Sequence, residues 1–293
     1  MLLLLLAACA AVIPEPTLRT WGHVDLEPSD ISGLSGLAAG ADGTLWSVSE
    51  GPPRLVQLDG GGAAVLRSLP ITGLPDGAEP ESVVITSSGA IWVGTESDSS
   101  GRDADPVVRI AIVGDEAQVR EQRAVTWANW GLVAPENRGV EGLCAAGGRL
   151  LMGGEPVSES GGQRRAPLGL EGPDGWVVHW LPLGSETGKL AALWCQQTAD
   201  GDIEIEAIER HYGVLHLVQA RLAADAAPGS DAERTGEFPL DPAIQAMNLN
   251  FEGLTRKGAR RLLLSDNQSG GEVTGPTRIV RVDPLDEDEP PAP

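Results

Sequence analysis

Five segments of this chain begin alike, with successive starts 46, 60, 50 and 61 residues apart, and a repeat of that period constrains the fold more than any other feature. They are Ser35-Gly36-Leu37, Glu81-Ser82-Val83, Glu141-Gly142-Leu143, the degenerate Ala191-Ala192-Leu193, and Glu252-Gly253-Leu254. A turn follows each start (Asp42-Gly43, Ser88-Gly89, Gly147-Gly148, Asp200-Gly201, Lys257-Gly258), and then a second apolar run such as Leu45–Ser49 or Ile91–Thr95. The residue closing each second run is Glu50, Glu96, Glu155, Glu209 or Asp266. All five are acidic, in a chain where 42 of 293 residues are Asp or Glu, so the register of the copies is not an accident of composition.

Third strands follow at Arg54–Asp59, Val107–Val113, Leu168–Gly172, Val214–Leu222 and Thr277–Asp283. Fourth strands follow in four copies, at Ala63–Ile71, Gln118–Trp127, Trp176–Leu183 and Arg234–Leu240. The last copy lacks one, and the orphan run Arg19–Glu27 supplies it, which joins the chain ends in one blade and leaves no open edge. The reading is an all-β protein, a β-propeller of five four-stranded blades, with six blades the alternative where a long loop hides a short one. The only helix-like stretch is Ala220–Ala227, ended by Pro228.

The propeller domain is expected over residues 18–283, with an acidic, Pro-rich tail at 284–293 that is too polar to fold. Leu2–Leu6 followed by Ala7-Ala8-Cys9 resembles a bacterial lipobox, so residues 1–8 read as a signal peptide, Cys9 as the lipidated residue and 9–17 as a tether. A buried N-terminal strand is the competing reading. A net charge of −21 disfavours nucleic acid and anionic lipid as partners. No apolar run reaches 18 residues, so membrane contact is expected only through the lipid anchor.

In a blade the first strand lines the central channel and the second runs antiparallel beside it. The start of one and the end of the other therefore share one face of the disc. Glu81, Glu141 and Glu252 should meet Glu50, Glu96, Glu155, Glu209 and Asp266 at one channel mouth, with Asn137, Asn248, Asn250 and Asn267 nearby. So many carboxylates must be protonated, paired or metal-bound, and an all-oxygen set of this size suits Ca²⁺. The competing reading is that they are solvated, or paired with Arg138, Lys189 and Arg210. Asp98, Asp103 and Asp105 form a second acidic loop, without EF-hand spacing, that reads as solvated. Trp46 and Trp92, at equivalent second-strand positions, read as packing between blades.

Phe251-Glu252-Gly253-Leu254, Leu263-Leu264-Ser265-Asp266-Asn267, Asn137-Arg138-Gly139-Val140-Glu141-Gly142-Leu143 and Ile208-Glu209-Arg210-His211-Tyr212-Gly213 together resemble the "esterase-like activity of phytase" family, over roughly Ser32 to Asp283. The resemblance implies a bacterial extracytoplasmic propeller, with Glu141, Glu209, Arg210, Glu252, Asp266 and Asn267 at motif positions. Ser35 and Ala191 depart from the acidic pattern.

No GxSxG elbow, HExxH, CxxC or Walker loop is present. The functional expectation is a monomeric, Ca²⁺-dependent hydrolase of phosphoesters or small esters. Glu141 or Glu252 would be the base, His211 an alternative base, and Arg138, Lys189 and Arg210 the anion-holding groups. The alternatives are a non-catalytic propeller that binds a ligand or partner, and a Ca²⁺-dependent lactonase. Cys144 and Cys195 fall at equal depth on neighbouring inner strands, where they either pair as a disulfide in an oxidising compartment or fill space as buried thiols.

Overall fold

The computed structural model describes residues 18–27, 31–97, 99, 102–133, 136–211, 213–240, 242–247, 249–266 and 275–284. The expectations for the leader, Cys9, the tether, Asn248, Asn267 and residues 285–293 lie outside these, as does the side chain of Asp266.

The chain begins with β1 (Leu18–Asp25). A first unit follows, β2 (Leu34–Ala39), β3 (Leu45–Ser49), β4 (Arg54–Leu58) and β5 (Val65–Thr72). The second is β6 (Ala78–Ile85), β7 (Ile91–Ser97), β8 (Ala104–Val113) and β9 (Glu116–Thr126). The third is β10 (Val140–Ala146), β11 (Arg149–Gly154), the short β12 (Ser158–Ser160), β13 (Gln163–Gly172) and β14 (Gly175–Pro182). The fourth is β15 (Lys189–Gln197), β16 (Ile203–His211), β17 (Val214–Leu222) and β18 (Glu233–Pro239). The last is β19 (Asn250–Lys257), β20 (Arg260–Asp266) and β21 (Arg278–Pro284), completed by β1, which pairs antiparallel with β21. The inner strands β2, β6, β10, β15 and β19 touch in a closed ring. The protein is a β-propeller, and no sixth unit lies among the described residues.

The sequence repeat has a physical cause. On β6, β10, β15 and β19 one residue is skipped by the ladder: Glu81, Glu141, Ala191 and Glu252 each fall in a β-bulge, and β2 is irregular between Ser35 and Ala38. A bulge bends the strand and re-aims the extra side chain. The next residue must be small because the inner strands nearly touch there. A Cβ on Gly36 would stand 2.7 Å from Ser82 Cα, and one on Gly142 would stand 2.9 Å from the Leu193 amide nitrogen. One residue further, Leu37, Val83, Leu143, Leu193 and Leu254 converge on a void of about 10 Å³, no more than one water needs, so an apolar plug blocks the channel. Beyond the plug a chamber of about 140 Å³ opens on the far side.

Between units the faces are apolar. Trp46, Val48 and Leu55 of the first pack on Val83, Val93 and Val108 of the second, and Trp92 packs on Leu143 and Leu150 of the third. Both tryptophans therefore serve inter-blade packing. Each fully buried Leu or Val contributes about 1.5–3 kcal/mol relative to exposure. Specific bonds fasten the seams. β5 and β9 pair in parallel through Ile71/Ala117 and Thr72/Gln118, which merges two units into one sheet. Ser82 Oγ donates to Val140 O at 2.8 Å. Buried Glu206 accepts from Arg256 and Arg261, joining the fourth and fifth units. Lys257 Nζ donates to the carbonyls of Gly43 and Gly60 at 2.8 and 2.9 Å, joining the fifth to the first.

One local expectation is corrected. Residues 220–222 complete β17 instead of starting a helix, because Ala220 and Leu222 alternate inward against Ile205 and Ile203. The helical turns lie elsewhere, at α1 (Pro242–Ala246) and a 3₁₀ turn over Trp127–Trp130.

Cys144 and Cys195 are joined as a disulfide between β10 and β15, with Cα atoms 5.7 Å apart and 51 residues of separation. On loop-closure grounds, reduction should cost roughly 3–4 kcal/mol. Denaturant titrations of the oxidised protein and of a Cys144→Ser/Cys195→Ser variant measure this, and equal midpoints would exclude a stabilising role.

Candidate functional site

One ladder step outward from the bulges, each unit presents a cross-strand pair at the mouth. These are Gly33 with Glu50, Glu79 with Glu96, Gly139 with Glu155, Asn250 with Asp266, and Lys189 with Arg210. The fourth unit thus places two cations where the others place acids. This register corrects the expectation for Glu209. Glu209 pairs with Leu190, one step too deep, and a one-residue offset turns a strand side chain to the other face. Its carboxylate accepts the Gly184 and Ser185 amides, both at 2.8 Å, and the Ser185 hydroxyl at 2.5 Å, with Arg234 at 3.5 Å. Burial works upward on its pKa, but these donors hold the carboxyl below its ordinary value. Glu209 anchors the loop between the third and fourth units and does not join the mouth.

The remaining carboxylates do converge. Oxygens of Glu50, Glu81 and Glu252 lie within 4.8 Å of one another, and so do those of Glu79, Glu81 and Glu96. Glu79 is absent from the sequence reading. Its signal was the two-residue spacing to Glu81 on an inner strand, which the repeat alignment did not weigh. Burial, then the negative charges of Glu141, Glu50, Glu96 and Glu252, pushes the Glu81 carboxyl well above the carboxylate range. Burial, then Glu155, Glu96 and Glu252, does the same to Glu141. Glu96 is pushed up to about 8 by burial, then by Glu155, Glu79 and Glu252.

The three cations expected at this face are there, each on an acid. Lys189 Nζ lies 2.5 Å from Glu155 Oε1 and Arg138 Nε 3.6 Å from Glu155 Oε2. Arg210 Nη2 lies 2.8 Å from Glu252 Oε1, which also accepts Asn250 Nδ2 at 2.7 Å. The fourth unit's cations thus neutralise Glu155 and Glu252 of its neighbours, and Arg102 acts on Glu96. His211 stands at the end of β16, its imidazole pushed below its ordinary pKa by desolvation and by Lys189 and Arg210.

Asp105 is also corrected. It is fully buried, not solvated. It accepts Arg102 Nε at 2.5 Å and Trp127 Nε1 at 2.7 Å, and Arg102 Nη2 in turn donates to Arg138 O at 2.9 Å. Asp105 thereby ties three mouth segments together.

No protein-family model and no curated protein matches the chain. Solved structures do resemble it. A putative oxidoreductase (glucose dehydrogenase) from Thermus thermophilus is 10% identical over 91% of this chain and 99% of that one, with a TM-score of 0.50. A putative exo-beta-1,3-galactanase from Bifidobacterium bifidum is 11% identical over 90% and 94%, with a TM-score of 0.50. An exo-beta-1,3-galactanase from Phanerochaete chrysosporium is 10% identical over 90% and 65%, with a TM-score of 0.52. At such identities the likeness is one of fold.

The raised carboxyls set a pH dependence. In the folded protein Glu96 keeps its proton up to about 8, whereas an ordinary Glu releases it near 4.5. Between those values the folded state binds more protons than the unfolded chain, so stability falls as pH rises. Urea titrations from about pH 5 to 8 without divalent cations should show that fall, and Glu96→Gln should flatten it. A slope unchanged by the substitution would mean that Glu96 ionises normally.

Proposed function

We propose that this chain is an extracytoplasmic, lipid-anchored propeller hydrolase that cleaves a small carboxylic ester or lactone at the carboxylate mouth with the help of a divalent cation, Ca²⁺ first. The observation that supports it most is the pair of carboxylate triads sharing Glu81. Their donors are all hard oxygens, with no nitrogen or sulfur, which fits Ca²⁺ and not a soft transition metal. Bound there, such a cation would supply Lewis-acid polarisation of a carbonyl and a lowered pKa for water.

The chain's own residues fill the remaining roles. Glu96 and Glu141, which hold protons near neutrality, can donate to a departing alkoxide. Neutral His211 at the rim can accept a proton. Among the described side chains, seven carboxylates (Glu50, Glu79, Glu81, Glu96, Glu141, Glu155, Glu252) outnumber the nearby cations Arg102, Arg138, Lys189 and Arg210. That balance repels a phosphomonoester more than a neutral ester, so the phosphoester branch of the family resemblance is the weaker one. The pairing of Arg138, Lys189 and Arg210 with acids favours the second reading, a binding propeller without catalysis.

Purified protein should hydrolyse p-nitrophenyl acetate or a γ- or δ-lactone in Ca²⁺, lose that activity in EDTA, and lose about 10²-fold in Glu81→Gln. Inorganic phosphate release from p-nitrophenyl phosphate should be absent. Failure on every ester while Ca²⁺ still binds would establish the binding module instead. The anchor is tested separately: Cys9→Ala should leave the membrane fraction and lose palmitate label, and equal membrane association of variant and parent would remove the anchor from the proposal.

A further inference from the structure

We infer that Ser35 is an oxygen ligand of the cation seat, completing it with Glu50, Glu81 and Glu252 where the fifth, first and second units meet. This rests on the cation-dependent reading above and adds to it a ligand and a choice between the two triads.

Two independent observations carry it. The first is the approach of the Glu50, Glu81 and Glu252 oxygens within 4.8 Å. The second is Ser35 itself, 1% exposed, with an Oγ that has no hydrogen-bond partner. A buried hydroxyl left unpaired is costly and calls for a reason, an ion or a water among them. Its placement supplies that reason. Ser35 occupies the repeat position held by Glu81, Glu141 and Glu252 in other units. Its unit lies between the ones that carry Glu252 and Glu81, because β2 touches both β19 and β6. Gly33, two residues earlier, is backed by Glu50: a Cβ there would stand 3.7 Å from Glu50 Oε2. On the ladder Ser35 pairs with Val48, two residues before Glu50, and the pairing continues to Glu50 N–H on Gly33 O, so Ser35 lies on the side of the sheet that carries Glu50. A hard cation accepts neutral oxygens alongside carboxylates, and a hydroxyl adds a ligand without adding charge. Glu79 and Glu96 are then left outside the seat.

The test is calorimetric titration of the full chain with Ca²⁺. Ser35→Ala should weaken binding about tenfold, while Glu96→Gln, which removes a ligand of the other triad only, should leave it within about twofold. Without Ca²⁺, the melting temperature of Ser35→Ala should equal or exceed that of the parent, since an unpaired buried hydroxyl has been removed. Ca²⁺ binding by Ser35→Ala as tight as the parent's would overturn the assignment alone, and so would a tenfold loss in Glu96→Gln. No Ca²⁺ binding by the parent at millimolar concentration would overturn both this assignment and the cation-dependent reading.

Discussion

The near-contact of the inner strands is the constraint from which the site descends. Where β2, β6, β10, β15 and β19 crowd the axis, only Gly36, Ser82, Gly142, Ala192 and Gly253 fit, and larger side chains are displaced to either side. Toward one face the aliphatic ring of Leu37, Val83, Leu143, Leu193 and Leu254 seals the channel. Toward the other the bulges turn glutamates inward. A polar mouth thus sits directly on an apolar floor, and burial there, together with the crowding of the carboxylates themselves, makes the carboxyls reluctant to ionise.

Such a mouth could not exist with every acid charged. The chain relieves it in three ways. Blade four substitutes cations at the rim and Ala191 at the bulge; the deepest carboxyls keep their protons; and Arg210 sits on Glu252 at the corner where the Glu50, Glu81 and Glu252 oxygens gather. The departures from symmetry, Ser35 and Ala191, are the positions that differentiate one side of the ring from the other.

The strands were legible because the inner and second strands are short runs buried almost throughout and bounded by Gly turns, and the predicted Val214–Leu222 coincides with β17. The mouth was legible where the copies stayed in phase, at Glu50, Glu81, Glu96, Glu141, Glu155 and Glu252. It failed at Glu209, where both Glu209 and Arg210 end an apolar run and only ladder pairing reveals which faces inward. It failed at Asp105, whose partners Arg102 and Trp127 are assembled by the fold and carry no joint spacing in the sequence. The short β12 was missed because Ser158–Ser160 pairs through backbone alone and has no apolar pattern to read.

The pairing of β1 with β21 also governs when the molecule can exist as a whole. The first strand of the domain has its ladder partner about 250 residues away, so its contacts are among the most non-local the chain can make. A chain still growing on the ribosome holds β1 with nothing to pair against, and its last unit stays one strand short until the C-terminal residues emerge. Units one to four can assemble in order of synthesis, but the ring, and with it the corner formed by Glu252, Glu50 and Glu81, comes into being only after translation has passed β21.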